Sequence, residues 1–146
     1  MVAVGSDHGG YELKQKIIKH LEERNIPVKD VGCDGKESCD YPVFGHAAAR
    51  EVASGACDKG IVVCTTGIGI SITANKTKGI RCALCGDTFS AKMTRLHNNA
   101  NMLALGAGVV GELLAIEIVD AFLDTDFSGD ERHERRIGLI EETAER

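Results

Sequence analysis

The sequence predicts an α/β fold of three layers, with a Rossmann-like, doubly wound sheet of five parallel strands between helices. Three observations predict it. Apolar runs of five to seven residues alternate with longer stretches of helical period, the pattern of strands joined by crossover helices. Two of those runs end in glycine-rich loops, "GSDHGG" (5–10) and "CTTGIGIS" (64–71). The 146 residues suffice for one sizeable core but leave no room for a second catalytic domain.

"VAVGS" (2–6) reads as strand 1. Leu13, Ile17 and Leu21 then fall four apart with Ile18 beside them, so residues 10–24 form an amphipathic helix. Strand 2 is "IPVKDVG" (26–32). Asp40, two residues before Pro42, is expected to cap a helix running through Phe44, Ala48 and Val52. Strand 3, "GIVVC" (60–64), leads into a short helix after Gly69, and strand 4 is "IRCALC" (80–85). Phe89, Met93 and Leu96 mark the next helix, "NMLALG" (101–106) is strand 5, and Leu114, Ile118 and Phe122 mark the helix after it. The tail "DERHERRIGLIEETAER" (130–146) is helical but polar, with only Ile137, Leu139 and Ile140 to bury. No linker, repeat or low-complexity stretch divides the chain, so 1–146 reads as a single domain.

The strand order expected for such a sheet is 2-1-3-4-5. Strands 1 and 3 are then neighbours, and the loops that follow them flank the crevice where doubly wound folds bind ligands. Those loops are the two glycine-rich segments.

Composition excludes several functions. A net charge of −5, mixed along the chain, and 4% aromatic residues leave neither a nucleic-acid footprint nor a basic membrane-binding face. No apolar run approaches the ~20 residues of a membrane span, and "MVAVGSDHGG" turns polar too early for a signal peptide. A cytoplasmic protein is expected, with its six cysteines reduced. Cys82 and Cys85 form a CxxC, but it lies in a strand-like run with no second ligand pair at matching spacing, which disfavours a metal or redox role. "GIGISI" lacks the third glycine of a dinucleotide fingerprint.

Gly67 and Gly69 remove side chains where strand gives way to helix, so backbone N–H groups can face an anion, either a phosphate or the oxyanion of an intermediate. Free cysteine is commonly a small buried hydrophobe. Cys64, however, ends a central strand and faces helix starts, which favour the thiolate and suit a nucleophile or base. His20 and His46 lie within helical patterns and read as surface or packing residues. His8 follows strand 1 and His97 precedes strand 5, and with Asp7 and Cys64 they would supply acid, base and phosphate-binding groups. In the tail, Arg132, His133, Arg135 and Arg136 concentrate positive charge, and Arg132 and Arg136 share a helical face suited to gripping a phosphate. From residues alone this is an anion-binding α/β domain with a thiol in its crevice.

These segments resemble the type B ribose-5-phosphate isomerases and the related galactose-6-phosphate isomerase subunits. The resemblance rests on "GSDHGG", "DYP" (40–42), "CTTGIGISITANK" (64–76), "GIRCAL" (79–84), "HNNANMLALG" (97–106), "VVGELLA" (109–115) and "RHERR" (132–136), in the family's order. It implies an aldose–ketose isomerase working through a cis-enediolate without metal or organic cofactor, with D-ribose 5-phosphate and D-ribulose 5-phosphate as the pair interconverted in the pentose phosphate pathway. By the same resemblance Cys64 is the base, Thr66 stands beside it, and His97 donates the proton that opens the sugar ring. Asp7 and His8 contact substrate, Tyr41 lines the pocket, and Asn98 follows the active histidine. The N–H groups of Gly67, Ile68, Gly69, Ile70 and Ser71 meet the oxyanion, and Arg132 and Arg136 bind phosphate with His8 beside them. Members are homodimers or dimers of dimers with the pocket between subunits, so His97 and Asn98 would act across an interface from Cys64.

Two positions depart from the family's pattern. Thr65 stands where many members have glycine, and Gly108 where ribose-5-phosphate isomerases commonly carry a phosphate-contacting arginine. The departures keep open a hexose 6-phosphate such as allose or galactose 6-phosphate as substrate, and a non-catalytic sugar-phosphate-binding protein as a further reading.

Overall fold

The structure, a computed structural model, describes residues 1–144. Five parallel strands, β1 (Val2–Ser6), β2 (Val28–Gly32), β3 (Lys59–Cys64), β4 (Cys82–Leu84) and β5 (Met102–Gly106), form one sheet. Six helices connect and flank them: α1 (Tyr11–Glu23), α2 (Tyr41–Ala53), α3 (Ile68–Ala74), α4 (Thr88–Asn98), α5 (Glu112–Asp124) and α6 (Glu131–Ala144). The fold class is the one the alternation of runs predicts. The tail helix runs to Ala144, and the last two residues of its predicted span lie outside the described residues.

The side chains of the central strands alternate between two cores. Val2 and Val4, Ile61 and Val63, and Leu103 and Leu105 face α1, α4 and α5. Ala3, Val62, Cys64, Met102 and Ala104 face α2 and α3. Period-2 alternation with both faces apolar is what a covered parallel sheet requires. It also assigns Cys64 to the α2/α3 side.

The strand order is β2-β1-β3-β5-β4, not the expected 2-1-3-4-5. The last two strands exchange places for a physical reason. β5 is buried at all five positions and satisfies its backbone by pairing on both sides. β4 keeps only three residues, none fully buried, and tolerates an edge. Strands 1 and 3 remain neighbours, but the loop after β5 now also borders Cys64, because Cys64 pairs with Gly106.

Asp40 occupies the cap position of α2 with proline in the first turn, yet its side chain makes no capping hydrogen bond. Asp87 does cap α4, its carboxylate accepting from the Ser90 N–H at 2.6 Å. No helix among the described residues is long and apolar enough to cross a membrane.

Phe122 is fully buried in the α1/α4/α5 core, aligned with Ala115, Ile118 and Val119. Phe122→Ala is expected to cost about 3–5 kcal/mol through lost burial and a residual cavity. A lower urea midpoint with an unchanged denaturant slope checks this.

Candidate functional site

The carboxyl ends of β1, β3 and β5 form the first part of the site. Asp7 is buried, and its Oδ1 accepts from the Gly10 N–H at 3.1 Å, fixing a short 3-10 turn over His8–Gly10. His8 stays exposed. Its Nδ1 accepts from the Cys39 N–H at 3.2 Å, which leaves Nε2 to carry the ring proton of the neutral form.

Cys64 ends β3, 5% exposed, and its Sγ accepts from the Gly67 N–H at 3.1 Å. Gly67 makes that turn with φ of +77°, a conformation side chains disfavour. The segment 67–71 does not present five free donors, as the resemblance implied. Gly67 N–H serves Cys64, Ile68 N–H donates to Thr66 Oγ1 at 3.2 Å, and Ser71 N–H donates to Gly67 O at 3.2 Å. Ser71 Oγ donates to Ile68 O at 2.8 Å, so this hydroxyl braces the helix. The side chain of Ile70 is in the core. Gly69 and Ile70 remain as the N–H groups of the first turn that no residue within the helix can accept.

Tyr41, at the start of α2, lies against this turn. A β-carbon on Gly69 would come within 2.6 Å of its ring. Thr65 is wedged in the same way: a β-carbon on Gly9 would meet its Oγ1 at 2.3 Å, and one on Gly108 its Cγ2 at 3.2 Å. The loops after β1, β3 and β5 therefore interlock around one threonine side chain. Gly108 N–H donating to Thr65 O at 2.8 Å completes that junction.

The remaining predicted residues lie elsewhere. α4 starts beyond β4 and ends before β5, so His97 and Asn98 sit toward the amino-terminal edge of the sheet. The five residues of β5 separate that edge from the Cys64 edge, roughly 16 Å at about 3.3 Å per residue. His97 stacks on His133 of α6, ring centroids 4.4 Å apart and planes 19° from parallel. Asn98 Oδ1 accepts from Thr94 Oγ1 at 3.0 Å. Arg132 and Arg136 are exposed on α6 beside this stack. A groove of about 900 Å³ adjoins it, with Asn98, Arg81, Ile140 and Glu141 in its wall. The Cys64 cluster and the His97 cluster thus lie at opposite ends of the sheet.

His133 is the residue the sequence reading undervalued, counting it only as charge. It is buried, and desolvation, then His97 and the neighbouring arginines, lower its pKa from the ordinary 6.5. It stands four residues before Ile137 and seven before Ile140, a helical stripe that could have marked it as inward-facing. The CxxC thiols are held protonated, Cys82 pushed up to about 12 and Cys85 to about 11, in both cases chiefly by desolvation.

With this geometry in hand, the comparisons decide the family. The profile of the ribose/galactose isomerase family matches residues 2–140. The chain belongs to that family. It resembles the solved structure of Clostridium thermocellum ribose-5-phosphate isomerase B with a TM-score of 0.97 and 52% identity, over 99% of this chain and 97% of that one. It is 46% identical to the ribose-5-phosphate isomerase B of Escherichia coli (strain K12), over 95% of this chain and 93% of the relative. It is also 42% identical to a D-erythrulose-4-phosphate isomerase of Pectobacterium atrosepticum, over 88% of this chain and 85% of the relative. Family members therefore differ in sugar while sharing the isomerase scaffold.

Two outcomes test this geometry. Gly9→Ala should destabilise the protein by about 1–3 kcal/mol through overpacking, and Thr65→Gly in the same chain should recover most of the loss; a thermal double-mutant cycle reads it. Because the folded-state pKa of His133 lies below its unfolded value, the unfolded state binds the proton more readily, so stability is full above that value and falls as pH drops through it. The urea midpoint should fall from about pH 7.5 to about pH 5.5, and fall less in His133→Asn.

Proposed function

We propose that the protein interconverts D-ribose 5-phosphate and D-ribulose 5-phosphate as a single sugar-phosphate isomerase domain, using Cys64 as its base. The observation that carries this reading is the placement of Cys64 Sγ, at the end of β3 beside the glycine-rich turn and hydrogen-bonded by the Gly67 N–H. The thiolate removes the C2 proton of the open-chain aldose, and the electron pair forms the C1–C2 double bond of a cis-enediolate. A proton then passes from O2 to O1, leaving the charge on O2, and as that charge collapses to the C2 carbonyl of the ketose the sulfur returns its proton to C1. The developing oxyanion needs fixed donors, and the Gly69 and Ile70 N–H groups point from the adjoining turn. Thr66, bonded to Ile68 N–H, stiffens the loop beside the base. His8 offers Nε2–H to substrate next to the buried Asp7, and Tyr41 walls the crevice.

His97 opens the sugar ring as proton donor, Asn98 binds beside it, and Arg132 and Arg136 bind the phosphate. These groups reach Cys64 only from a second copy of the chain, so the working unit is a homodimer, or a dimer of dimers, with shared sites. Exposed Ile68, Ile72 and Leu84 near the Cys64 cluster supply apolar surface for that contact. The six free cysteines fit a reducing, cytoplasmic setting.

Thr65 stands between Gly9 and Gly108, next to Cys64, and adds side-chain bulk there. That favours the pentose over a hexose 6-phosphate, despite the absence of an arginine at position 108.

Cys64→Ala is expected to abolish ketose formation from ribose 5-phosphate while substrate affinity stays near wild type, assayed beside erythrulose 4-phosphate, allose 6-phosphate and galactose 6-phosphate. Wild-type turnover in that variant would refute the base. Mixing equal amounts of inactive Cys64→Ala and His97→Asn chains after unfolding and refolding should restore about a quarter of wild-type activity, since half of randomly paired dimers carry one intact site of two. No recovery would place both residues in the same chain's site.

A further inference from the structure

The last carbonyls of a helix must find donors outside it; at the end of α4 Arg81 serves Asn98 and the capping Asn99, while Arg95 holds the segment that follows. Arg95, buried within the helix, donates from Nη1 to Asn99 Oδ1 at 2.9 Å and to Ala100 O at 2.5 Å, and from Nε to Thr125 O at 3.0 Å. Arg81 comes from the chain entering β4. Its Nε donates to Asn98 O at 2.9 Å and its Nη2 to Asn99 O at 2.9 Å. Its Nη1 donates to Glu141 Oε1 on α6 at 2.5 Å. The backbone beneath it is fixed as well, Arg81 N–H donating to Asn101 Oδ1 at 2.8 Å.

One planar guanidinium therefore bonds the end of α4 and the side of α6 at once. The side chain is 18% exposed and its carboxylate partner 35%, in the wall of the groove beside Asn98. His97 immediately precedes the carbonyl that Arg81 holds, and α6 delivers His133 onto the His97 ring. Arg132 and Arg136 ride on the same helix, about two and a half turns before Glu141 in the case of Arg132 and about one and a half in the case of Arg136. A lysine could not replace this group, because an ammonium lacks the rigid fork that serves both carbonyls and the carboxylate.

We propose that Arg81 and Glu141 are a positioning pair that sets α6 against the end of α4, and so fixes the spacing between His97 and the phosphate-binding face of Arg132 and Arg136. The kinetic consequence rests on the isomerase reading; the structural consequence does not. A partly exposed ion pair contributes little to global stability, so the pair's effect appears in geometry and affinity more than in the unfolding midpoint.

The test uses the full-length protein carrying Glu141→Gln, which keeps shape and removes charge, and Arg81→Lys, which keeps charge and removes the fork. Expected in Glu141→Gln are faster amide exchange along α6, proton shifts of the His97 and His133 rings moving toward unstacked values, and an essentially unchanged urea midpoint. The Michaelis constant for ribose 5-phosphate should rise about tenfold with kcat within about twofold of wild type. Arg81→Lys should show the same spectral change with an added loss of kcat, since the Asn98 carbonyl loses its donor. Wild-type exchange and ring shifts in Glu141→Gln would overturn the proposal, as would altered ring shifts with an unchanged Michaelis constant in an active enzyme. If the wild type turned over no sugar phosphate, the isomerase reading would fall, and altered exchange and ring shifts in Glu141→Gln would still support the positioning pair.

Discussion

The constraint on which the rest depends is the flush parallel register of β1, β3 and β5. Ser6 pairs with Val63, and Cys64 pairs with Gly106, so three strands stop at one level and their loops meet. There is little volume at that junction. A β-carbon on Gly10 would come within 2.5 Å of the Val63 carbonyl, and one on Gly106 within 2.5 Å of the Thr66 carbonyl. Backbone rather than side chain must occupy the space, and closely approaching backbone is what lines up N–H groups around a buried sulfur. Thr65 is the exception that fits, its hydroxyl toward Gly9 and its methyl toward Gly108.

A second consequence of parallel topology is that every helix returns the chain to the opposite edge of the sheet. Residues at the end of a helix and residues at the end of a strand are therefore a sheet's width apart. His97 belongs to the first kind of position and Cys64 to the second, which is why the two lie at opposite ends of the sheet. The cluster at the amino-terminal edge is built from polar contacts more than from core. His133 stacks on His97, Arg81 bonds the final carbonyl of α4, Arg95 bonds the Ala100 carbonyl just beyond it, and Glu141 ties in α6. The Cys64 cluster instead rests on two apolar cores, which keep its geometry independent of the tail.

Burial acts in one direction on four of the cysteines. Desolvation raises Cys39 and Cys57 as well as the CxxC pair, Cys82 and Cys85, and so keeps these thiols neutral. Cys64 is buried too, but it receives a backbone N–H. A donor of that kind interacts more strongly with a charged sulfur than with a neutral one.

The sequence by itself determined the fold class, the five strands, the two glycine-rich loops and their convergence, because period-2 and period-3.6 apolar patterns and glycine placement are local signals. Leu13, Ile17 and Leu21 could face only a core, and Gly67 could hardly be anything but a turn. What the tertiary structure decided was pairwise and long-range. The exchange of β4 and β5 depends on which strand can bear an edge, a comparison no single segment contains. The reduction of five candidate N–H donors to two depends on Cys64 Sγ, Thr66 Oγ1 and the Gly67 carbonyl claiming the others. The burial of His133, the wedge of Thr65 between Gly9 and Gly108, and the fork of Arg81 across Asn98 and Glu141 join residues up to 60 positions apart. Such contacts leave no periodicity in the chain, since each arises only when two separately folded elements come to rest against each other.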